Sequence, residues 1–529
     1  MKRLIVPLLA FLVAAMVYGV TVVGANGGGE PATALSTVHL PLLLRAGPRP
    51  QFSEGVASGD ATGAGATLWT RGGSEVTLAL EVAASADFGQ LVFTTPVTLT
   101  AAADFTAQVR ANGLASGQRY FYRWRWGRLA SPTGSFSTAP LPAQAAPVRF
   151  AFSGDTDGAL VEGQPGINEF QALAAIRADQ PDFFVYLGDT VYADSFLRPS
   201  GPAQTLADYR ALYRLNRSYP ALRQLLASVS TVAIWDDHEV INDFAGQTVD
   251  PGRYAIGRQA FGEYLPVNQS DLPADGACAG PPLFRLLHWG REVDVIVLDL
   301  RSCRSAAAGP LCLDQNGIED LAPTLPSAGR LQLGLSPIPP FGCREAIADP
   351  SRTLLGAAQK SAFKQALASS SATFKFVISE VPIQQYFLGP YDRWEGYGAE
   401  RAEILNFIRD QGIAGVIFLS GDAHMNLMND VYVDKFTDPA PIAYEAITGP
   451  VAALTLEEAL TRFIGPGAVG QMHDALDLIG VDCRHLDAYS YGLVEVEGGQ
   501  ATITLKNDAG QTISDQRTPA VSCTRTFGP

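Results

Sequence analysis

The stretch that decides the fold is Thr231-Val232-Ala233-Ile234-Trp235, which runs directly into Asp236-Asp237-His238-Glu239-Val240-Ile241-Asn242. A short apolar run that ends in acidic and histidine side chains indicates a buried strand with reactive groups at its carboxyl end. Four further apolar runs are followed directly by polar or acidic residues: 148–153, 182–187, 293–298 and 416–420. Helical stretches lie between several of them. The pattern predicts an α/β core of layered sheets with helices outside.

The side chains that follow these runs are expected to meet at one rim, because ligands in α/β sheets bind outside the carboxyl ends of the strands. The motifs are Gly154-Asp155-Thr156-Asp157, Gly188-Asp189-Thr190-Val191-Tyr192, Asp299-Leu300-Arg301 and Gly421-Asp422-Ala423-His424. Carboxylates gathered at one rim raise one another's pKa unless cations compensate them. Oxygen ligands with one or two imidazoles suit divalent ions, and two ions that share a carboxylate can promote hydrolysis of phosphate esters. A shared metal site is therefore predicted.

Simpler interpretations apply to the motifs taken singly. A lone Gly-Asp after a strand is commonly a turn, and it is the five strand ends together that argue for a site. Asp299-Leu300-Arg301 fits a buried ion pair as well as it fits a functional motif. Of the six histidines, only His238 and His424 lie in these motifs. The other four are interpreted as structural or surface residues.

The charge balance excludes some classes of function. The 529 residues carry 38 Lys and Arg against 53 Asp and Glu, a formal net charge of −15. A chain this acidic is a poor electrostatic partner for nucleic acid or anionic lipid. No nucleic-acid binding is expected beyond a possible substrate, and a monomer is expected.

The amino terminus indicates export. Met1-Lys2-Arg3 precedes an apolar run over residues 4–23, and small residues lead to Ala25. This is typical of a signal peptide cleaved after Ala25, although about 20 apolar residues would also serve as an uncleaved membrane anchor. The protein is thus expected to be secreted, periplasmic or held at the cell surface. Six cysteines, all in the second half, predict up to three disulfides of unspecified connectivity.

Changes in composition divide the chain. Residues 52–138 hold short strand-like runs separated by Gly, Asp and Ser clusters, which is typical of a β-sandwich. A signal peptide or anchor is predicted at 1–25 and a linker at 26–50. An amino-terminal β-sandwich domain at 51–139 and a catalytic domain at 148–510 follow, and a carboxyl-terminal tail spans 511–529.

Several motifs together resemble those of a known family. They include Phe52-Ser53-Glu54-Gly55-Val56-Ala57-Ser58-Gly59-Asp60, Leu187-Gly188-Asp189-Thr190-Val191-Tyr192, Trp235-Asp236-Asp237-His238-Glu239 and Ser420-Gly421-Asp422-Ala423-His424. The chain resembles the PhoD-like metallophosphatases (alkaline phosphatase D type) of the calcineurin-like metallophosphoesterase superfamily. The resemblance implies a layered β-sandwich metallophosphoesterase core preceded by a small all-β domain of fibronectin-III or immunoglobulin type. It also implies an exported phosphoesterase, alkaline phosphatase or phosphodiesterase, that hydrolyses small phosphoesters through attack by a metal-bound hydroxide.

The resemblance implies a role for each motif residue. Asp189 would bridge two metal positions, with Asp155, Asp157 and Tyr192 as further ligands of one of them. Asp237 and Asn242 would be ligands of the second position, and Asp422 and His424 would complete the shell from the last strand. His238 would stand beside the scissile phosphate, where it could stabilise charge or protonate the leaving oxygen. Arg301 would contact the phosphate, because a guanidinium fork matches phosphate oxygens.

The resemblance implies calcium and iron, two or more ions in all. Family members often carry a cysteine iron ligand after the first core strand, where this chain has Phe152-Ser153-Gly154-Asp155-Thr156-Asp157. Iron is therefore in doubt, and calcium, magnesium or manganese suits an all-oxygen site. Monoester or diester preference stays open. The rival interpretation is a non-catalytic exported metal- or carbohydrate-binding protein on a phosphatase scaffold.

Overall fold

The computed structural model describes residues 49–268 and 272–528. The predicted signal peptide or anchor, and nearly all of the predicted linker, lie outside the described residues. Within those residues, no helix has both the length and the apolar character needed to cross a membrane.

The strands form two large sheets, a five-stranded sheet and a two-stranded sheet within the described residues. The first 13 strands are β1 (Val56–Thr62), β2 (Gly65–Arg71), β3 (Thr77–Ala83), β4 (Leu91–Thr98), β5 (Thr106–Asn112), β6 (Arg119–Trp126), β7 (Leu129–Ala130), β8 (Gly134–Ser137), β9 (Val148–Ser153), β10 (Leu160–Val161), β11 (Gln164–Pro165), β12 (Phe183–Leu187) and β13 (Ser230–Ile234). The other strands are β14 (Arg285–Trp289), β15 (Val293–Val297), β16 (Phe374–Ile378), β17 (Val416–Ser420), β18 (Asn426–Val431), β19 (Ala443–Ile447), β20 (Cys483–His485), β21 (Ser490–Glu497), β22 (Gln500–Asn507) and β23 (Thr524–Phe527).

The helices connect and cover these sheets. They are α1 (Gln171–Ala178), α2 (Leu206–Ser218), α3 (Pro220–Ser228), α4 (Pro251–Tyr264), α5 (Ser327–Gln332), α6 (Cys343–Ile347), α7 (Gly356–Ser369), α8 (Gly398–Asp410), α9 (Leu456–Phe463) and α10 (Gly467–Ile479). Short 3-10 turns occur at Ala101–Ala103, Gly309–Leu311 and Trp394–Tyr397.

The core is a sandwich of a nine-stranded and a seven-stranded sheet. Their orders are β23-β22-β21-β9-β12-β13-β1-β2-β5 and β14-β15-β16-β17-β19-β18-β20. Phe150 of the first sheet meets Phe376 of the second, with ring centroids 5.0 Å apart. The next residue, Val377, points to the opposite face and packs in a separate cluster with residues of α7 and α8. This alternation confirms the predicted layers, with helices outside a buried sheet.

The amino-terminal region is all β, as predicted, but it is not a separate sandwich. Strands β1, β2 and β5 extend the nine-stranded catalytic sheet, where β1 runs parallel to β13 and Ser58 pairs with Ser230. The buried Asp60 carboxylate accepts a hydrogen bond from the Asn268 amide at 2.6 Å and pairs with Arg285 at 3.2 Å. The boundary predicted after residue 139 therefore separates two stretches of sequence that share one sheet.

The six cysteines form three disulfides: Cys278–Cys303, Cys312–Cys343 and Cys483–Cys523. The first joins the segment before β14 to the segment after β15, and the second closes a loop between β15 and α7. The third joins β20 to the predicted tail, whose strand β23 pairs with β22 at the edge of the large sheet. Residues 511–528 thus pack at the edge of the large sheet, where Ile513 and Cys523 are buried.

Candidate metal centre

The centre is built on sharp turns at the ends of β9, β12 and β17. Asp155, Asp189 and Asp422 all have left-handed backbones, with φ values of 60°, 48° and 62°. Aspartate tolerates this region better than most residues, and such strain is typical of functional sites. Gly188 has φ 97°, and a Cβ there would lie 2.6 Å from the Asp236 side chain, so only glycine fits this turn.

Three sets of ligand atoms converge at these turns, and within each set all atoms lie within 4.8 Å of one another. The sets are Asp155, Asp189 and His424; Asp189, Asp237 and His238; and Asp237, Asp243 and Asp392. Asp189 belongs to the first two, which is the arrangement needed for a carboxylate shared by two ions. Asp243 and Asp392 were missed from the sequence, because neither follows an apolar run.

Tyr192 lies beside the first set. Its hydroxyl is 3.2 Å from His424 Nε2 and 3.5 Å from the Asp155 carboxylate, and its ring stacks on His238 with centroids 4.1 Å apart. Burial first, and then the Asp189 and Asp155 carboxylates, raise the pKa of this phenol well above its usual value. Without a cation, Tyr192 is therefore a neutral hydroxyl.

The other predicted ligands lie outside the three sets. The Asp157 carboxylate accepts hydrogen bonds from Ser195 Oγ and from the Ala159 amide. Asn242 donates its backbone amide to Asp194 at 2.7 Å. Asp422 is half-buried, and its pKa is raised well above the usual value by burial and then by Asp236, Asp392 and Asp237. Asp422 is thus in the electrostatic field of the second and third sets.

The residues present fit divalent cations. Asp155 Oδ2 and Asp237 Oδ1 are buried and have no hydrogen-bond partner among the described residues, which is rare for buried carboxylates. Burial raises the pKa of Asp189 well above its usual value, and Asp237, Asp236 and Asp155 add to the rise. Cations would satisfy the orphaned oxygens and cancel this repulsion. The donor set is carboxylate, phenol and imidazole, because all six cysteines are in disulfides.

His238 is held by an aspartate that the sequence analysis missed. Its Nδ1 lies 2.5 Å from Asp194 Oδ1, and its Nε2 lies 4.0 Å from Asp189 Oδ2. Burial lowers the pKa of His238, but Asp194, Asp189 and Asp237 outweigh burial and raise it well above the usual value. The Nε2 atom of the ring faces the carboxylates. The sequence clue that could have identified Asp194 was its position, only five residues after Asp189.

Arg301 forms buried ion pairs, which the sequence analysis named as the alternative to a functional role for its motif. Its side chain is 0% exposed; Nε donates to Asp236, and the two terminal nitrogens donate to Asp392 at 3.0 and 2.8 Å. The expected contact between Arg301 and a phosphate is corrected accordingly, because the guanidinium is already occupied by carboxylates. Arg301 instead lowers the pKa of Asp237, 3.7 Å away, against the opposing effect of burial.

Comparison with known proteins gives concordant matches. The model of the PhoD-like phosphatase family matches residues 161–506, and that of the PhoD-like phosphatase N-terminal domain matches residues 40–140. The chain is 27% identical over 423 residues to alkaline phosphatase D of Bacillus subtilis (strain 168). That alignment covers 72% of this chain and 66% of the relative, just under two thirds of its length.

Two solved structures share the fold. The structure of PhoD matches with a TM-score of 0.70 and 22% identity, and the match covers 90% of each chain. Purple acid phosphatase PPD1 from yellow lupin (Lupinus luteus) seeds matches with a TM-score of 0.53 and 12% identity, over 91% of this chain and 74% of that one.

Proposed function

Since the chain belongs to the PhoD-like phosphatase family, we propose that it is an exported, metal-dependent phosphoesterase that hydrolyses small phosphate esters. The observation that carries the proposal is that two convergent ligand sets share Asp189. Three disulfides support export, because such bonds persist in oxidising compartments.

The first set, with Tyr192, would hold one ion, and Asp189 with Asp237 would hold another. Divalent ions bound there would activate water and neutralise charge on the phosphoryl oxygens. Calcium, magnesium or manganese suits these ligands, whereas iron would lack a thiolate. The Arg301 ion pairs keep Asp237 ionised and so ready to bind a cation.

His238 supplies the proton for the leaving group. Its Nε2 faces the carboxylates, and the stacked Tyr192 ring together with the Asp194 contact fixes the orientation of the imidazole. A proton donated to the leaving alkoxide speeds the cleavage of esters whose alcohols are weak acids.

Metal dependence is tested by chelation. The purified protein, treated with chelator and dialysed, is expected to lose hydrolysis of 4-nitrophenyl phosphate and bis(4-nitrophenyl) phosphate, and to recover it with calcium, magnesium or manganese. The ratio of the two rates assigns monoesterase or diesterase preference. Full activity after complete metal removal would refute metal dependence. Bound metal without hydrolysis of either ester would favour the non-catalytic binding protein.

The role of His238 predicts a leaving-group effect in Asp194→Asn. We expect kcat on phenyl phosphate to fall about 10- to 100-fold, because the ring loses its charged partner. On 4-nitrophenyl phosphate the loss should be smaller, since nitrophenolate leaves without a proton. The control is Asp294→Asn, which alters a similar pair, His288 Nδ1 to Asp294 Oδ1 at 2.6 Å, outside the site. Equal losses on both substrates would contradict proton donation.

A further inference from the structure

Two phenylalanines form an exposed aromatic pair. Phe196 and Phe463 are 58% and 37% exposed, and their ring centroids lie 6.5 Å apart with the planes 83° apart. The Arg462 guanidinium lies 5.2 Å from the first ring and 5.5 Å from the second. Among the described residues, neither phenylalanine belongs to a hydrophobic cluster. The fold therefore gains little from these rings, and their exposure points to a ligand.

Both rings are close in the chain to residues that contact the candidate metal centre. Phe196 follows Asp194, which holds His238, and Ser195, which donates to Asp157. Phe463 ends α9, whose first residue, Leu456, donates its amide to the His424 carbonyl at 2.8 Å. At 1.5 Å of rise per residue, Phe463 lies about 10 Å from Leu456 along the helix. Phe196 is thus two residues from Asp194, and Phe463 is one helix length, about the length of a nucleoside, from the residue bonded to His424.

We propose that Phe196, Phe463 and Arg462 form a subsite for a planar aromatic ring that a spacer separates from the scissile phosphate, as the base of a 5′-nucleotide is separated by its ribose. This inference rests on the proposed phosphoesterase function. A base packs on aromatic side chains, and a neighbouring guanidinium adds cation-π attraction. A mononucleotide needs no basic run along the protein, so the acidic composition does not oppose it.

The test compares AMP with ribose 5-phosphate, which has the same sugar and phosphate but no base. The wild-type holoenzyme is expected to show a kcat/KM at least about 10-fold higher for AMP, because base stacking adds binding. The double variant Phe196→Ala/Phe463→Ala should lose most of this preference through a higher KM for AMP. Its rate on ribose 5-phosphate should stay within about twofold of wild type, which also reports correct folding.

Two further variants sharpen the result. Arg462→Gln should lower the AMP preference alone, whereas Trp126→Ala, a change at an equally exposed aromatic in the amino-terminal region, should leave it intact. Hydrolysis of ribose 5-phosphate with no preference for AMP, or a preference that survives the double variant, overturns the subsite but not the phosphoesterase. Hydrolysis of bis(4-nitrophenyl) phosphate alone, with none of AMP, ribose 5-phosphate or 4-nitrophenyl phosphate, overturns the subsite but not the phosphoesterase. No hydrolysis of any of these four esters overturns both.

Discussion

Asp189→Asn is expected to lower kcat/KM on 4-nitrophenyl phosphate by at least about 10³-fold, the largest loss among single substitutions in this protein. Asp189 is the one residue shared by the first two ligand sets. The amide keeps the shape of the side chain but removes its charge and replaces one oxygen with a nitrogen that cannot bind a cation. Steady-state kinetics and the metal content of the same sample measure the effect together.

The matched control is Asp410→Asn, because that carboxylate is exposed at the end of α8 and its partner is the neighbouring Arg409. We expect wild-type activity there. If Asp189→Asn hydrolyses both aryl phosphates and aryl phosphodiesters at wild-type rates with its metal bound, a bridging role for this carboxylate is refuted.

Arg301→Ala is expected to have the largest effect on stability. The substitution leaves the buried Asp236 carboxylate without its cationic partner and removes the bidentate partner of Asp392. Breaking a buried pair from one side costs about 3–5 kcal/mol of unfolding free energy. Urea unfolding followed by tryptophan fluorescence measures this cost.

Arg149→Ala provides the comparison, because the Arg149–Glu495 pair is about half exposed and such pairs contribute about 1 kcal/mol or less. A direct phosphate role for Arg301 predicts a different result. In that case the Ala variant would have a raised KM with unchanged stability, and Arg304, which also pairs with Asp392, would have to compensate the buried acids.

The strand-end pattern predicted the layered α/β core and indicated most of the acids that converge. Asp155, Asp189 and Asp237 follow β9, β12 and β13, which are neighbours in one sheet. Parallel neighbours end at the same edge, so acids placed after each strand must meet. The net charge of −15 first excluded basic-patch functions, and the structure shows that part of this excess is concentrated at one edge.

The sequence by itself determined the fold class, the family and the acids that follow each buried strand, because burial and turn chemistry are local and leave a local pattern. Only the tertiary structure decided which partners those acids take. Asp392 reaches Arg301 across 91 residues, and this contact, rather than the motif around Arg301, turns the guanidinium away from a substrate. Likewise, β1 joins β13 through backbone pairing between segments that are far apart in the chain, which no local sequence pattern records.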